Sequence, residues 1–88
     1  MNASVEMPRY RSHKEVWALK IKEVIVIYQS TEGHRIVPED PRYAPIPISD
    51  EYLKKHDPKA GGYYVVYPDG YESWSPAEAF ESGYTLIK

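Results

Sequence analysis

The 88-residue sequence contains no cysteine and a single phenylalanine, and it has no long apolar run. Without cysteine it can form neither a disulfide nor a thiolate metal site. Its histidines, His13, His34 and His56, are isolated along the chain, so we expect them at the surface and predict no structural zinc and no cofactor. Because no apolar run could span a membrane or act as a signal peptide, the sequence indicates a soluble, cytoplasmic protein without a membrane partner.

A strong charge of one sign is also lacking. The net charge is −2: residues 1–22 hold five basic and two acidic residues, and the rest of the chain holds six basic and eleven acidic ones. A dedicated nucleic-acid surface normally needs a strongly basic face, so a nucleic-acid partner is not expected. The sequence has no Ser-His-Asp arrangement, phosphate-binding loop or dinucleotide fingerprint, which disfavours an enzyme.

Tyrosine is the residue that the sequence has in excess. Nine tyrosines and two tryptophans occur in this chain, which is short enough to bury only about 60–65% of the surface that its unfolded form exposes. For any one tyrosine the simpler interpretation is a ring that lines a thin core with its hydroxyl group at the surface. For the whole group we expect ring surface that is left for binding or for a homo-oligomer, a common remedy for a small core.

Residues 61–75 predict a tight hairpin. Tyr63–Tyr67 has the aromatic and β-branched composition of a strand. Pro68-Asp69-Gly70 has turn chemistry, because proline fixes φ and glycine can take a positive φ. With a three-residue loop, the pairs that face each other are Tyr67 with Tyr71, Val65 with Ser73 and Tyr64 with Trp74.

The first half of the chain predicts a tail, a second hairpin and a proline-rich segment. Residues 1–8 show no periodicity and are expected to form a disordered tail, so that residues 9–88 form one domain. Residues 15–22 alternate as in a half-buried strand, with a bend or bulge near Lys22-Glu23, although their composition also tolerates a helix. After a turn at residues 30–33, His34–Val37 returns as a strand that Pro38 ends. Residues 39–47, with three prolines, are expected to lie extended across the core.

Two short helices complete the prediction. Ser49 or Asp50 can cap a helix from Asp50 to about Lys55, with acidic residues in its first turn and basic residues in its last. Ser75-Pro76-Ala77-Glu78 matches a capping box, and Gly83 matches the residue that follows a helix. Residues 84–87 are expected to return to the sheet. The predicted fold is α+β, a small antiparallel sheet of four to five strands with two short helices.

The candidate binding residues come from the hairpin and from a basic segment near the N-terminus. The two faces of the hairpin cannot be equally buried in so short a chain, so one aromatic face should be partly exposed and serve as an interaction surface. Arginine and tyrosine side chains together can hold a phosphate and stack on a base, although a solvated strand start is the simpler interpretation of the basic segment. The candidate binding residues are Arg9, Arg11, Lys14, Trp17, Tyr63, Tyr67, Tyr71 and Trp74.

Two blocks of the sequence, RYRSHKEV at residues 9–16 and GGYYVVYPDGYESWSPAEAFESGYT at residues 61–85, resemble a family of small proteins encoded by tailed bacteriophages and prophages. The resemblance brings no catalytic residues. It implies an accessory protein of the infected bacterial cytoplasm that acts by binding in counter-defence, either by sequestering an immune nucleotide signal or by blocking a host defence protein. The alternatives are a structural or morphogenetic phage protein and a weak nucleic-acid-binding module.

The sequence leaves two binding mechanisms open. In the sequestration mechanism, an oligomer forms a pocket between subunits in which basic residues of the N-terminal segment (Arg9, Arg11 or Lys14) hold phosphates and hairpin rings (Tyr63, Tyr67 or Trp74) stack on a base. In the blocking mechanism, the aromatic face docks on a basic protein surface with the help of the acidic residues Asp69, Glu72, Glu78 and Glu81.

Overall fold

The computed structural model describes residues 7–11, 15–27 and 33–86. Within these residues it has an antiparallel sheet of seven strands and two helices. The strands are β1 (Arg9–Arg11), β2 (Glu15–Ile25), β3 (His34–Pro38), β4 (Ile46–Ile48), β5 (Tyr63–Val66), β6 (Glu72–Ser75) and β7 (Thr85–Leu86), and the helices are α1 (Asp50–His56) and α2 (Ala77–Gly83). The α+β prediction is confirmed. The predicted count of four to five strands is too low, because the N-terminal segment and the proline-rich segment each contribute a short strand, β1 and β4.

The long strand β2 holds the sheet together along both of its edges. One edge pairs with β5 over residues 17–20. The other edge pairs first with β1 and then with β3, and its backbone bonds to Pro8 and Glu39 are both 2.8 Å long. The register shifts between Ile21 and Glu23, which confirms the predicted bulge and decides between strand and helix for this segment.

The fold begins earlier than the sequence indicated. Residues 1–6 lie outside the described residues, but Met7 and Pro8, which the sequence assigned to the tail, already contact the domain. Met7 packs against a buried cluster, and the carbonyl oxygen of Pro8 accepts a hydrogen bond from the Ala18 N–H group. No helix among the described residues is long and apolar enough to cross a membrane.

The hairpin of β5 and β6 has the predicted register. Tyr64 pairs with Trp74 and Val65 pairs with Ser73. The Tyr67 N–H group donates to the Tyr71 carbonyl oxygen over 2.9 Å. These contacts confirm a loop of three residues, with Gly70 at a φ of 92°.

Gly70→Val is expected to lower the free energy of unfolding by at least about 1 kcal/mol. A Cβ at this position meets nothing within 4 Å, so the cost comes from the left-handed backbone, which a β-branched residue resists. Urea denaturation followed by circular dichroism measures the change. Gly83→Val is the matched control, because Gly83 has the same free space and no positive φ. Equal losses for the two variants would contradict the turn assignment.

Two buried clusters lie on opposite faces of the sheet. The first core consists of Val16, Ala18, Tyr63, Val65 and Phe80. The second core consists of Ile21, Ile36, Ile48, Tyr52 and Tyr64.

Both faces of β5 are therefore buried within one chain. Tyr63 is 7% exposed and Tyr64 is 4% exposed. The expected partly exposed aromatic face is therefore not found within β5, but it is found at the turn of the hairpin, where Tyr71 is 42% exposed. Helix α2 places Phe80 on one face, where its ring stacks on that of Tyr63 with centroids 4.2 Å apart, and α1 places Tyr52 on the other face.

The two helices begin in different ways. Helix α1 starts as predicted, since the Ser49 hydroxyl accepts a hydrogen bond from the Tyr52 N–H group over 3.0 Å. Helix α2 has no capping box: its N-cap is Pro76, and no side chain caps it. Ser75, the last residue of β6, does not take that role, because its hydroxyl group donates to the Pro76 carbonyl oxygen over 3.2 Å. Gly83 is the last residue of α2 rather than the residue after it, so that prediction is also wrong.

Candidate functional site

An open groove of about 700 Å³ lies beside the second core, between the hairpin and the proline-rich segment. This volume is in the range of about 300–1,000 Å³ that is typical of ligand sites. We call it the aromatic groove. Its lining residues are Met7, Trp17, Leu19, Arg42, Tyr43, Ala44, Pro45, Ile46, Pro47, Tyr64, Val66, Tyr67, Pro68, Gly70 and Glu72.

The floor of the aromatic groove is set by the strand register. Trp17 pairs with Val66 and Leu19 pairs with Tyr64. Val66 in turn pairs with Glu72 across the hairpin. Residues that face each other across antiparallel strands point to the same side of the sheet, so these five side chains share one surface.

The proline-rich segment forms a wall of the aromatic groove. Ile46 pairs with Ile36 of β3 and packs against the second core. Pro45 and Pro47 on either side of it are exposed. Proline has no N–H group to donate to a further strand, so this edge of the sheet stays open. The rings of the two prolines therefore remain available to a ligand.

Two charged residues that line the aromatic groove, Arg42 and Glu72, differ in the partners that they bind. The Arg42 guanidinium binds the Asp40 carboxylate, with Nη2 2.7 Å from Oδ2. These hydrogen bonds hold the pKa of Asp40 below its usual range. Glu72 accepts a hydrogen bond from the Tyr64 hydroxyl group and is exposed. The groove therefore combines an arginine that is already bound with a carboxylate that faces solvent.

Two buried tyrosines, Tyr52 and Tyr64, form side-chain hydrogen bonds beneath and beside the groove floor. The Tyr52 hydroxyl group of α1 donates to the Ser73 carbonyl oxygen over 2.6 Å. Tyr64 donates to Glu72. Burial raises the pKa of both tyrosines well above the usual value, and for Tyr64 the hydrogen bond to Glu72 raises it further. Both hydroxyl groups are therefore protonated donors at neutral pH.

The structure brings two of the predicted ring residues, Trp17 and Tyr67, to the aromatic groove. Tyr63 lies in the first core, where its hydroxyl group donates to Glu81 over 2.8 Å. Trp74 packs against the second core, outside the groove lining. Tyr71 is 42% exposed and stacks on Tyr67 with centroids 6.0 Å apart, also outside the lining.

The predicted basic residues do not join these rings in one pocket. Arg9 and Arg11 of β1 both bind the Glu15 carboxylate, at 3.3 and 3.5 Å. Lys14 lies outside the described residues. Arg9 pairs with Trp17 and so shares its face of the sheet, whereas Tyr63 lies on the opposite face. Within one chain, the described residues Arg9 and Arg11 therefore do not share one pocket with all of these rings, and the pocket between subunits stays a prediction.

Most of the residues that line the groove were not predicted from the sequence. Tyr43, Pro45, Pro47 and Tyr64 line it but were not among the candidate binding residues. The available signal was the run PRYAPIP at residues 41–47, in which three prolines surround a tyrosine. Its position beside Trp17 depends on the pairing of β3 with β4, which local sequence does not reveal.

The prediction that the histidines lie at the surface is wrong for His34. This residue is 2% exposed. Its Nδ1 accepts a hydrogen bond from the Ile27 N–H group over 3.0 Å, so Nε2 carries the proton that it donates to Asp50. His34 thereby joins the end of β2 to the start of α1, away from the groove. Among the residues that the structure describes, no group of three His, Asp or Glu residues could hold a metal ion.

Gly62→Ala is expected to displace Trp74 and to lower the free energy of unfolding by about 1–3 kcal/mol. A Cβ at position 62 would lie 2.5 Å from the Trp74 Nε1 atom and 2.6 Å from two ring carbons. Tryptophan emission in a Trp17→Phe background, where Trp74 is the only reporter, together with urea denaturation, measures both effects. Gly83→Ala is the control, since a Cβ there meets nothing within 4 Å. Unchanged emission in Gly62→Ala would refute the packing of Trp74 on Gly62.

Comparisons of this chain with models of protein families, with curated proteins and with solved structures find no match. The resemblance to phage-encoded proteins therefore stays a prediction based on two sequence blocks. Function has to be inferred from the geometry of the aromatic groove.

Proposed function

We propose that this protein is a phage accessory protein that acts by binding, and that it blocks a host defence protein through the aromatic groove. The observation that carries the proposal is the groove itself, in which aromatic rings and prolines lie beside the exposed Glu72. Apolar surfaces with polar rims mark sites where proteins bind. The phage setting and the counter-defence role rest on the sequence resemblance alone.

Blocking is favoured over nucleotide sequestration by the charges. Arginine and lysine side chains are the charged groups that hold phosphates, and the arginines considered for this role each have a carboxylate beside them: Asp40 beside Arg42, and Glu15 beside Arg9 and Arg11. In addition, residues 60–86 contain four acidic residues and no lysine or arginine. Two of them, Asp69 and Glu72, belong to the hairpin that borders the groove, and exposed carboxylates there complement a basic protein and speed its association.

The blocking mechanism needs only one copy of the chain. The prediction of a homo-oligomer was based on ring surface that a single chain could not bury, and both faces of β5 are buried here. The aromatic groove is likewise lined by one chain. Self-association therefore stays a prediction that the proposed function does not require.

The proposal is tested with two variants that each add one arginine at an exposed alanine. Ala44 lines the aromatic groove, and Ala79 lies on α2, outside the groove lining. We expect wild type and Ala79→Arg to restore plating of a phage that a bacterial defence system restricts, and Ala44→Arg to lose this effect. Equal restoration by both variants would show that the groove is not the blocking surface.

The competing functions give different results in vitro. Sequestration of a nucleotide signal predicts that a cyclic or linear nucleotide raises the melting temperature by mass action, whereas blocking predicts no such shift and a stable complex with a host protein. A structural role predicts copies of the chain in purified phage particles. A thermal-shift panel and mass spectrometry of particles separate the three functions.

A further inference from the structure

We infer that the aromatic groove takes an extended, proline-rich segment that carries an arginine or lysine beside its prolines. This inference rests on the proposed function and names the chemistry of the partner's docking segment. It follows from the rings of the groove, from an unpaired donor in its floor and from the charge of Glu72.

The rings of the groove suit a polyproline II helix. Its lining combines partly exposed tryptophan and tyrosine rings from three parts of the chain, Trp17, Tyr43 and Tyr67, with the exposed Pro45 and Pro47. Aromatic grooves of this composition recognise proline-rich segments, whose rings lie flat against the aromatic rings. A polyproline II segment is already extended before binding, so it loses little conformational entropy in an open groove.

The indole of Trp17 provides a donor. Its Nε1 atom is buried and has no hydrogen-bond partner among the described residues. A buried donor without an acceptor is destabilising. The backbone of a polyproline II helix makes no internal hydrogen bonds, so its carbonyl groups are available to accept from a donor such as this indole.

Glu72 selects for a positive charge in the ligand. The Tyr64 hydroxyl group donates a hydrogen bond to this carboxylate and so holds it in place at the groove. The residue itself pairs across the hairpin with Val66 of the groove floor. Arg42 does not neutralise it, because Arg42 binds Asp40. A guanidinium next to the prolines of the ligand can form a charge-assisted hydrogen bond with Glu72.

The test is fluorescence anisotropy with labelled peptides of about twelve residues that contain an arginine next to a Pro-x-x-Pro core. One control peptide replaces the prolines with alanine, and another replaces the arginine with glutamate. We expect the arginine peptide to bind wild type and the alanine peptide to bind it with at least about tenfold lower affinity. Glu72→Lys should lower the affinity for the arginine peptide about fivefold, which corresponds to roughly 1 kcal/mol. Glu72→Lys should bind the glutamate peptide better than wild type does.

Glu78→Lys is the matched control, since it makes the same charge change at an exposed position of α2, outside the groove lining. Glu78→Lys should bind the arginine peptide and the glutamate peptide within about twofold of wild type. This result would show that the effect of Glu72→Lys comes from a local contact and not from the overall charge of the protein. Thermal melts confirm that each variant is folded. If Glu72→Lys does not fold, Glu72→Gln replaces it and should weaken only the arginine peptide.

The peptide-binding and plating experiments distinguish a failure of this inference from a failure of the proposed function. If the peptides do not bind, or if a helical segment of the host protein occupies the groove, the inference is overturned while a complex lost in Ala44→Arg still supports blocking. If the arginine peptide binds with the expected Glu72 dependence but plating is never restored, the inference stands and the blocking function falls. Sedimentation equilibrium shows whether a second copy of the chain fills the groove instead, which would also overturn the inference.

Discussion

Phe80→Ala is expected to lower the free energy of unfolding by about 3–5 kcal/mol. That is a large share of the roughly 5–15 kcal/mol that stabilises a typical domain. Phe80 is 1% exposed, and its ring centroid lies 4.2–4.8 Å from those of Tyr63, Tyr84 and Tyr10. It is also the buried residue of α2. Its loss therefore removes the cover of the first core and exposes one face of β5.

Urea denaturation followed by circular dichroism measures this loss. Leu86→Ala serves as the control, because Leu86 is an apolar residue of β7 that is 42% exposed. Substitutions at exposed positions usually change stability by about 0.5 kcal/mol or less. A loss in Phe80→Ala as small as that of the control would contradict the conclusion that α2 covers the first core.

Raising the pH above about 10 is expected to lower the free energy of unfolding steeply. Tyr52 and Tyr64 are 5% and 4% exposed, and burial raises the pKa of both above the usual value of about 10. In this range the folded form keeps protons that the unfolded form loses. Stability is therefore complete below about pH 10 and falls as the pH rises, by about 1.4 kcal/mol per pH unit for each tyrosine, or about 3 kcal/mol for the two together.

Tyrosinate absorbance and far-ultraviolet circular dichroism, recorded during one alkaline titration, measure this effect. The tyrosinate signal of the buried residues should appear together with the loss of secondary structure. In the Tyr52→Phe, Tyr64→Phe double variant, the slope of unfolding free energy against pH should be shallower by about 3 kcal/mol per unit. An unchanged slope in that variant would show that these two hydroxyl groups do not govern alkaline stability.

Local sequence predicted the parts of the fold that local interactions decide. The turn at Gly70 needs a positive φ, and the hairpin register follows from the length of the loop. The cap of α1 by Ser49 needs only the three residues that follow it. The bulge in β2 coincides with the point where apolar alternation breaks, at Lys22-Glu23.

The wrong predictions involve residues whose partners are distant in sequence. Ser75 has the sequence position of a cap, but it belongs to β6 because Tyr63 pairs with it. His34 looks isolated in the sequence, yet it is buried between Ile27 and Asp50. In both cases a strand or a helix elsewhere in the chain supplies the partner.

The candidate site was only partly predictable for the same reason. Aromatic composition identified Trp17 and Tyr67 as binding residues, and both line the aromatic groove. The alternation of faces along the hairpin also placed Tyr63 and Tyr64 on opposite sides. The burial of both faces could not be predicted, because it depends on how α1 and α2 pack onto the sheet.

A pull-down from host cells with wild type would identify the partner, and titration calorimetry with that partner is the most direct test of the aromatic groove as the binding surface. Wild type and Ala79→Arg should bind it with the same affinity, and Ala44→Arg should show no measurable heat of binding. If Ala44→Arg binds as tightly as Ala79→Arg, the groove is not where this protein meets its partner.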